Sequence, residues 1–191
     1  MGILILVLVI IALILLVLVV FFISIYNQLI QLRVNIDKSW SNIDVLQKQR
    51  YDEIPKLINV CEGYMKYERE TLEKITQVRT QFLSAKTPPE IAKIDTELTT
   101  ALKTLFAVVE NYPELKSNQN FLQLQTRITY LENQIAVRRE FYNDSVTVYN
   151  TRIQQVPYVF VAKLLNYAPK EMYKITEQEK NSPEIKFELP K

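Results

Sequence analysis

The chain has 191 residues, with 23 Lys and Arg against 21 Asp and Glu, a formal charge of +2, no histidine and a single cysteine. Basic residues scattered among acidic ones argue against a nucleic-acid binder, which shows a basic face or a high pI. The missing histidine excludes His-dependent triads, the H-E-x-x-H zinc site and the Glu-x-x-His ligand pairs of di-iron bundles, and one cysteine, Cys61, can form neither an intramolecular disulfide nor a zinc cluster.

Residues Ile3 to Ile25 read ILILVLVIIALILLVLVVFFISI, 23 positions without a charge. As a helix this run is about 35 Å long, enough to cross a hydrocarbon core of roughly 30 Å. It has no basic n-region and no small-residue cleavage site, as a signal peptide requires, and no cysteine near its end to accept a lipid. The expectation is an uncleaved membrane anchor over 1–25. Arg33, Lys38, Lys48 and Arg50 follow it, interspersed with Asp37 and Asp44. Basic residues dominate the positive-inside rule, which favours a cytoplasmic domain.

With Gly2 and Gly63 the only glycines, proline supplies most of the punctuation, a composition that favours long helices. Between Ile3 and Ile54 there is neither Gly nor Pro, and Leu29, Leu32, Ile36, Trp40, Ile43, Leu46 and Ile54 recur at intervals of three and four apart from one gap. The anchor helix is expected to run on into the first soluble helix. Pro55 interrupts a pattern that Leu57, Ile58, Val60, Cys61 and Tyr64 continue, so a kink or short break is expected there, with the helix resuming and ending near Ala85.

Thr87-Pro88-Pro89-Glu90 is a start signal, with Thr87 as N-cap, Pro88 at the first helical position and Glu90 completing a capping box. Ile91, Ile94, Leu98, Leu102, Leu105 and Val109 form the stripe of this second helix, and Asn111-Tyr112-Pro113 ends it. A third helix should run from Ser117 or Asn118 to about Gln155, with Phe121, Leu124, Ile128, Leu131, Ile135, Tyr142, Ser145 and Tyr149 on one stripe, closed by Pro157. Amphipathic helices on short turns pack antiparallel. The predicted fold is all-α: a transmembrane helix continuous with an elongated antiparallel three- to four-helix bundle, divided as 1–25, 26–168 and a polar tail over 169–191. Tyr158 to Leu165 is apolar but too short to span a bilayer; it either packs across the bundle end or meets the membrane surface or a partner. Glu184 to Leu189 alternates charged and apolar residues as a strand does, against the alternative of a tail without fixed structure.

The residues in order resemble the LemA family of bacterial membrane proteins. The likeness runs from about Tyr26 to Tyr173 and rests on Tyr26-Asn27 with Leu32-Arg33, Trp40-Ser41-Asn42-Ile43-Asp44-Val45 and Arg50-Tyr51-Asp52-Glu53-Ile54-Pro55. It continues through Gly63-Tyr64, Tyr112-Pro113-Glu114-Leu115-Lys116, Asn120-Phe121, Leu124-Gln125 and Glu132-Asn133-Gln134-Ile135. Arg138, Phe141-Tyr142-Asn143, Tyr149-Asn150-Thr151-Arg152-Ile153 and Pro157 close it. The chain departs from the family pattern at Tyr67, where a histidine is usual, and at Gln47 and Gln49. The resemblance implies a single-pass protein with a helical domain and no established enzymatic activity.

Asp44, Arg50, Asp52, Glu132 and Arg138 can be read as a carboxylate-guanidinium cluster, with structural pairing the preferred role. Tyr142-Asn143 recurs seven residues later as Tyr149-Asn150, so both copies share a helical face, and a polar layer at that spacing fixes helix register. Together with Trp40, expected to pack against the third helix, and Pro55, these form the structural motif. No catalytic, cofactor or metal-binding residue is assigned, and Cys61 is read as a small core side chain. The leading expectation is a non-enzymatic, membrane-anchored scaffold that self-assembles or organises a membrane protein partner; the runner-up is a protein that shapes or coats the bilayer, and a carboxylate- or lysine-based enzyme is a third class. Its partners are then the lipid bilayer and further copies of itself, with neither nucleic acid nor a small-molecule substrate. Ile30, Val34 and Val45 lie off the anchor helix's stripe and, with Tyr158, Phe160, Ile185 and Phe187, are the candidate contacts between copies.

Overall fold

The structure, a computed structural model, describes residues 1–85 and 87–173. Six helices occur in chain order: α1 (Gly2–Glu62), α2 (Arg69–Ser84), α3 (Pro88–Val109), α4 (Pro113–Lys116), α5 (Gln119–Arg152) and α6 (Tyr158–Leu164). There is no strand among the described residues, and the strand pattern at Glu184 to Leu189 lies outside them. The all-α expectation holds: one long apolar N-terminal helix precedes helical, bundle-like packing. The chain divides into two compact units. One comprises Met1–Ile43 with Arg138–Met172; the other comprises Asp44–Val137 and, of the described residues, Tyr173.

Of the kink or short break expected at Pro55, the break does not occur. The helix continues through Pro55 to Glu62, and the break falls at Gly63, where the backbone N–H groups of Tyr64 and Met65 both turn back to the Cys61 carbonyl at 3.0 and 2.8 Å. Proline removes the hydrogen bond to the carbonyl four residues earlier, here that of Tyr51. Arg79 of α2 donates its Nε to that carbonyl at 3.4 Å. A carbonyl stripped of its helical donor thus gains a side-chain donor from the neighbouring helix, one reason the chain can stay helical across the proline. The Tyr51 ring stacks on Phe82 of α2, centroids 3.7 Å apart and 10° from parallel, which brings the two helices together at the same level. The second stretch of the expected first helix is therefore a separate helix, α2, ending at Ser84.

Helix α3 begins as its sequence requires: Thr87 is the N-cap, Pro88 opens the first turn, and the Glu90 carboxylate accepts from the Thr87 N–H at 3.2 Å. With only 85–87 between them, α2 and α3 form an antiparallel pair. Their apolar faces, Leu72, Ile75 and Val78 against Leu98, Leu102 and Leu105, enter a common core with Tyr51, Ile54, Leu57 and Cys61 of α1 and with Phe121 and Ile128 of α5. Phe106 and Phe121 meet edge to face at 6.2 Å. Burial pushes the Cys61 thiol up to about 12, so at neutral pH it is a protonated, apolar filler. Asn118 caps α5 by accepting from the Phe121 N–H at 3.1 Å.

In the unit that holds the N-terminus, residues 3–23 of α1 are exposed throughout, whereas Ile25, Leu29, Ile36 and Ile43 are buried. Burial thus begins at Ile25 with a spacing of four and then seven, the signature of a helix packed along one face. On α5 the matching buried set is Tyr142, Val146 and Tyr149; Val146 takes the interior position that the sequence pattern gave to half-buried Ser145.

The bond from Arg79 to Tyr51 yields a double-mutant test. Arg79→Met should destabilise the protein by about 1 kcal/mol, the usual net worth of such a hydrogen bond. In a Pro55→Ala background, where the restored N–H satisfies the same carbonyl, the loss should be clearly smaller. Urea melts of the four proteins measure the coupling.

Candidate functional site

Arg50 lies with its side chain fully buried on α1, facing α3, and a guanidinium without partners there would carry a large desolvation penalty. Its Nη1 donates to Asp95 Oδ1 at 2.9 Å, both side chains being 0% exposed, and its Nη2 donates to Thr99 Oγ1 at 2.9 Å. The Tyr173 hydroxyl donates to the second Asp95 oxygen at 2.9 Å, and Gln47 Nε2 donates to that hydroxyl at 3.3 Å. One charge pair is thereby enclosed by neutral hydrogen-bonding groups. Close by along α1, Glu53 is flanked by Lys56 at 2.9 Å and by Arg127 of α5 at 2.7 Å. These arrangements join helices by pairing charges.

Of the cluster read from the sequence, only Arg50 is fully buried. Asp44 and Asp52 face solvent, Glu132 is half-buried, and Arg138 is exposed with its guanidinium 5.9 Å from the Phe141 ring. The buried partner of Arg50 is Asp95, which the sequence reading did not single out. Its one signal was an acid on the apolar face of α3, three residues before Leu98. Gln47, noted as a departure from the family pattern, is fully buried in this network.

In the unit that holds the N-terminus, Trp40 is half-buried and meets the Tyr142 ring of α5 edge on, 5.5 Å between centroids. Tyr142 of the first Tyr-Asn pair and both members of the second bind the chain that returns after α6. Tyr142 donates its hydroxyl to the Glu171 carbonyl at 3.0 Å, Tyr149 to that of Ala168 at 3.2 Å, and Asn150 both donates to the Lys170 carbonyl at 2.9 Å and accepts from its N–H at 2.8 Å. Asn150 pairs with Lys170 as a neighbouring strand would. Asn143 is half-buried on the same helix. Burial raises the Tyr142 and Tyr149 hydroxyls above the ordinary tyrosine value, with Asp37 and Glu171 adding to it at Tyr142 and Tyr167 at Tyr149, where Arg33 acts in the opposite direction. Arg33 is held above its ordinary value chiefly by its hydrogen bond to Tyr167, whose ring lies 4.8 Å beneath the guanidinium.

Of the candidate contacts between copies, Val34, Val45 and Phe160 are exposed, whereas Ile30 and Tyr158 are half-buried, the latter donating its hydroxyl to Gln28. Ile185 and Phe187 lie outside the described residues. One open groove of about 350 Å³ is lined by Glu70, Lys74, Thr96, Glu97, Thr100 and Thr104. No group of three His, Cys, Asp or Glu suited to a metal occurs among the described residues.

An apolar helix long enough to cross a bilayer, followed by helices joined through buried polar pairs, supports the class of membrane-associated helical proteins. The chain belongs to the LemA family, whose model matches residues 39–187. It is 30% identical over 130 residues to a protein LemA of Metamycoplasma hominis, covering 66% of this chain and 58% of that protein. It is 34% identical over 73 residues to the magnetosome protein MamQ 2 of Paramagnetospirillum magneticum and 32% identical over 73 residues to the magnetosome protein MamQ of Magnetospirillum gryphiswaldense. Each of these matches covers 38% of this chain and 27% of the relative. The chain thus spans less than two thirds of the length of these relatives, and none of their names describes a reaction.

Removing one member of the Arg50–Asp95 pair should cost about 3–5 kcal/mol, because the other is left as an uncompensated buried charge. Arg50→Met and Asp95→Leu should each show that loss in chemical denaturation. The combined variant should lose much less than the sum.

Proposed function

We propose that this chain is a non-enzymatic, membrane-anchored helical scaffold that self-assembles, with its helical part on the cytoplasmic side. The observation that carries the reading is the continuity of α1 from the apolar segment to Glu62. Its helical hydrogen bonding continues from the apolar segment into residues that pack with other helices. Confinement to a bilayer raises the effective concentration of copies, so weak contacts suffice for assembly. Val34 and Val45 project from α1 into solvent, where they are available to a neighbour; single exposed apolar residues are otherwise common. The charged residues seen in the interior are engaged in joining helices, a structural use that supports a non-catalytic role.

Light scattering of the full chain, corrected for bound detergent or lipid, tests self-assembly. A multiple of the chain mass is expected, shifting toward monomer in a Val34→Asp/Val45→Asp variant; a monomeric mass across a wide concentration range overturns the scaffold reading. Sidedness is tested in a Cys61→Ala background with the fully exposed Tyr67 replaced as Tyr67→Cys. An impermeant maleimide should label it only after lysis, and prompt labelling of intact cells would put the domain outside.

A further inference from the structure

Helix α6 has two unlike faces. Val161 and Ala162 are buried, and the Tyr158 hydroxyl donates to Gln28 of α1 at 2.5 Å. On the other side Phe160 and Leu164, one turn apart, are 68% and 69% exposed, and Val156 in the preceding turn is 75% exposed. Four-residue spacing sets Phe160 and Leu164 on one face of the helix, and Val156 adds an exposed apolar side chain in the turn before it. Gln28 lies three residues beyond Ile25, or about 4.5 Å along the helix axis. The polar layer on each side of a roughly 30 Å hydrocarbon core is about 5–8 Å deep. If residues 3–25 span the bilayer, as the proposed function has it, α6 is fastened to α1 at the depth of the lipid headgroups.

The charges nearest α6 in sequence are basic, the acids of this unit being Asp37, Glu140, Asp144 and Glu171. Residues 1–36 and 145–170 contain no Asp or Glu, and their charged side chains are Arg33, Arg152, Lys163 and Lys170. Arg33 lies 4.8 Å over the Tyr167 ring and Arg152 4.8 Å over the Tyr158 ring, so two of these cations are positioned beside α6 by aromatic partners. Phe21, Phe22 and Tyr26 are exposed on α1 at the end of the apolar run, where aromatic side chains collect at a bilayer boundary. An apolar stripe with a basic flank is the pattern of an element lying in the membrane interface.

We propose that α6 and the turn before it form a second membrane contact, in which Val156, Phe160 and Leu164 enter the headgroup and acyl boundary of an anionic bilayer while Lys163, Arg152 and Arg33 face its phosphates. The occupant of this face is lipid, on the grounds of continuity with the apolar segment of α1 and of charge complementarity. The inference rests on the anchor reading, and the test separates the two.

Full-length Cys61→Ala protein in nanodiscs, carrying a fluorophore at Leu164→Cys, Phe160→Cys, Ile14→Cys or Tyr67→Cys, is exposed to spin-labelled lipids that quench it on contact. Ile14, inside the apolar run, and both α6 positions should be quenched several-fold more than Tyr67, a position in the other unit. Quenching at α6 should fall when anionic lipid is replaced by zwitterionic lipid, and Lys163→Gln should reduce that dependence. Quenching at Ile14 with both α6 probes as unquenched as Tyr67 overturns the proposal and leaves the anchor standing. No quenching at Ile14 overturns both. Protection of α6 probes from a water-soluble quencher that grows with the number of copies per disc, without lipid quenching, assigns the face to a second copy and also overturns it.

Discussion

Helix α1 carries two kinds of surface on one hydrogen-bonded backbone, an apolar run long enough to cross a bilayer and a stretch packed against other helices, and much of the structure is built on that change of surface. In hydrocarbon a spanning segment has to satisfy its peptide groups internally, which a helix does whatever its side chains. Past Ile25 the same backbone continues while the side chains change from uniformly apolar and exposed to buried at every fourth or seventh position. Pro55 is the one residue that could have broken the ladder, and Arg79 occupies the carbonyl it leaves without a donor. The rod is kept whole partly by a bond from another helix.

Joining helices to such a rod leaves a choice of register, since apolar stripes alone tolerate sliding by a turn. The Arg50–Asp95 pair narrows that choice. A guanidinium and a carboxylate taken fully out of water are costly unless both are matched, and here Thr99 bonds to Arg50 Nη2 and Tyr173 to the second Asp95 oxygen. A shift of one turn between α1 and α3 would leave both charges buried and unmatched. The pair therefore selects an arrangement more than it adds stability, the role best attested for buried polar groups in helical assemblies.

The second Tyr-Asn pair shows the same economy at an irregular segment. A backbone that is neither helix nor strand still has donors and acceptors to satisfy. Along 168–171 those groups bond to Tyr142, Tyr149 and Asn150 of α5. These three side chains thereby anchor the chain returning from α6. With Tyr158 bonded to Gln28, this holds α6 beside the first turns of α1 after the apolar segment. The proposed lipid contact depends on that placement.

Helix-making power and its punctuation are local properties, so the sequence by itself determined most of the secondary structure. A charge-free run of 23 residues, two glycines, the Thr87-Pro88-Pro89-Glu90 box and the stripes of α3 and α5 specify a long apolar helix followed by amphipathic ones, and the family motifs were legible in order. Tertiary structure decided where the first helix ends, because the effect of Pro55 depends on whether a distant donor reaches the Tyr51 carbonyl. It also decided which acid answers Arg50. Asp44, Asp52 and Asp95 carry the same charge in sequence, and only the packing of α3 on α1 excludes water from one of them. The Tyr-Asn repeat likewise announced a shared face on α5, but the partners of Tyr142, Tyr149 and Asn150 are backbone groups 19 to 29 residues away whose position the fold alone sets. Local chemistry is written in neighbouring residues; the cost of burying a charge or a peptide group exists only once the chain has folded around it.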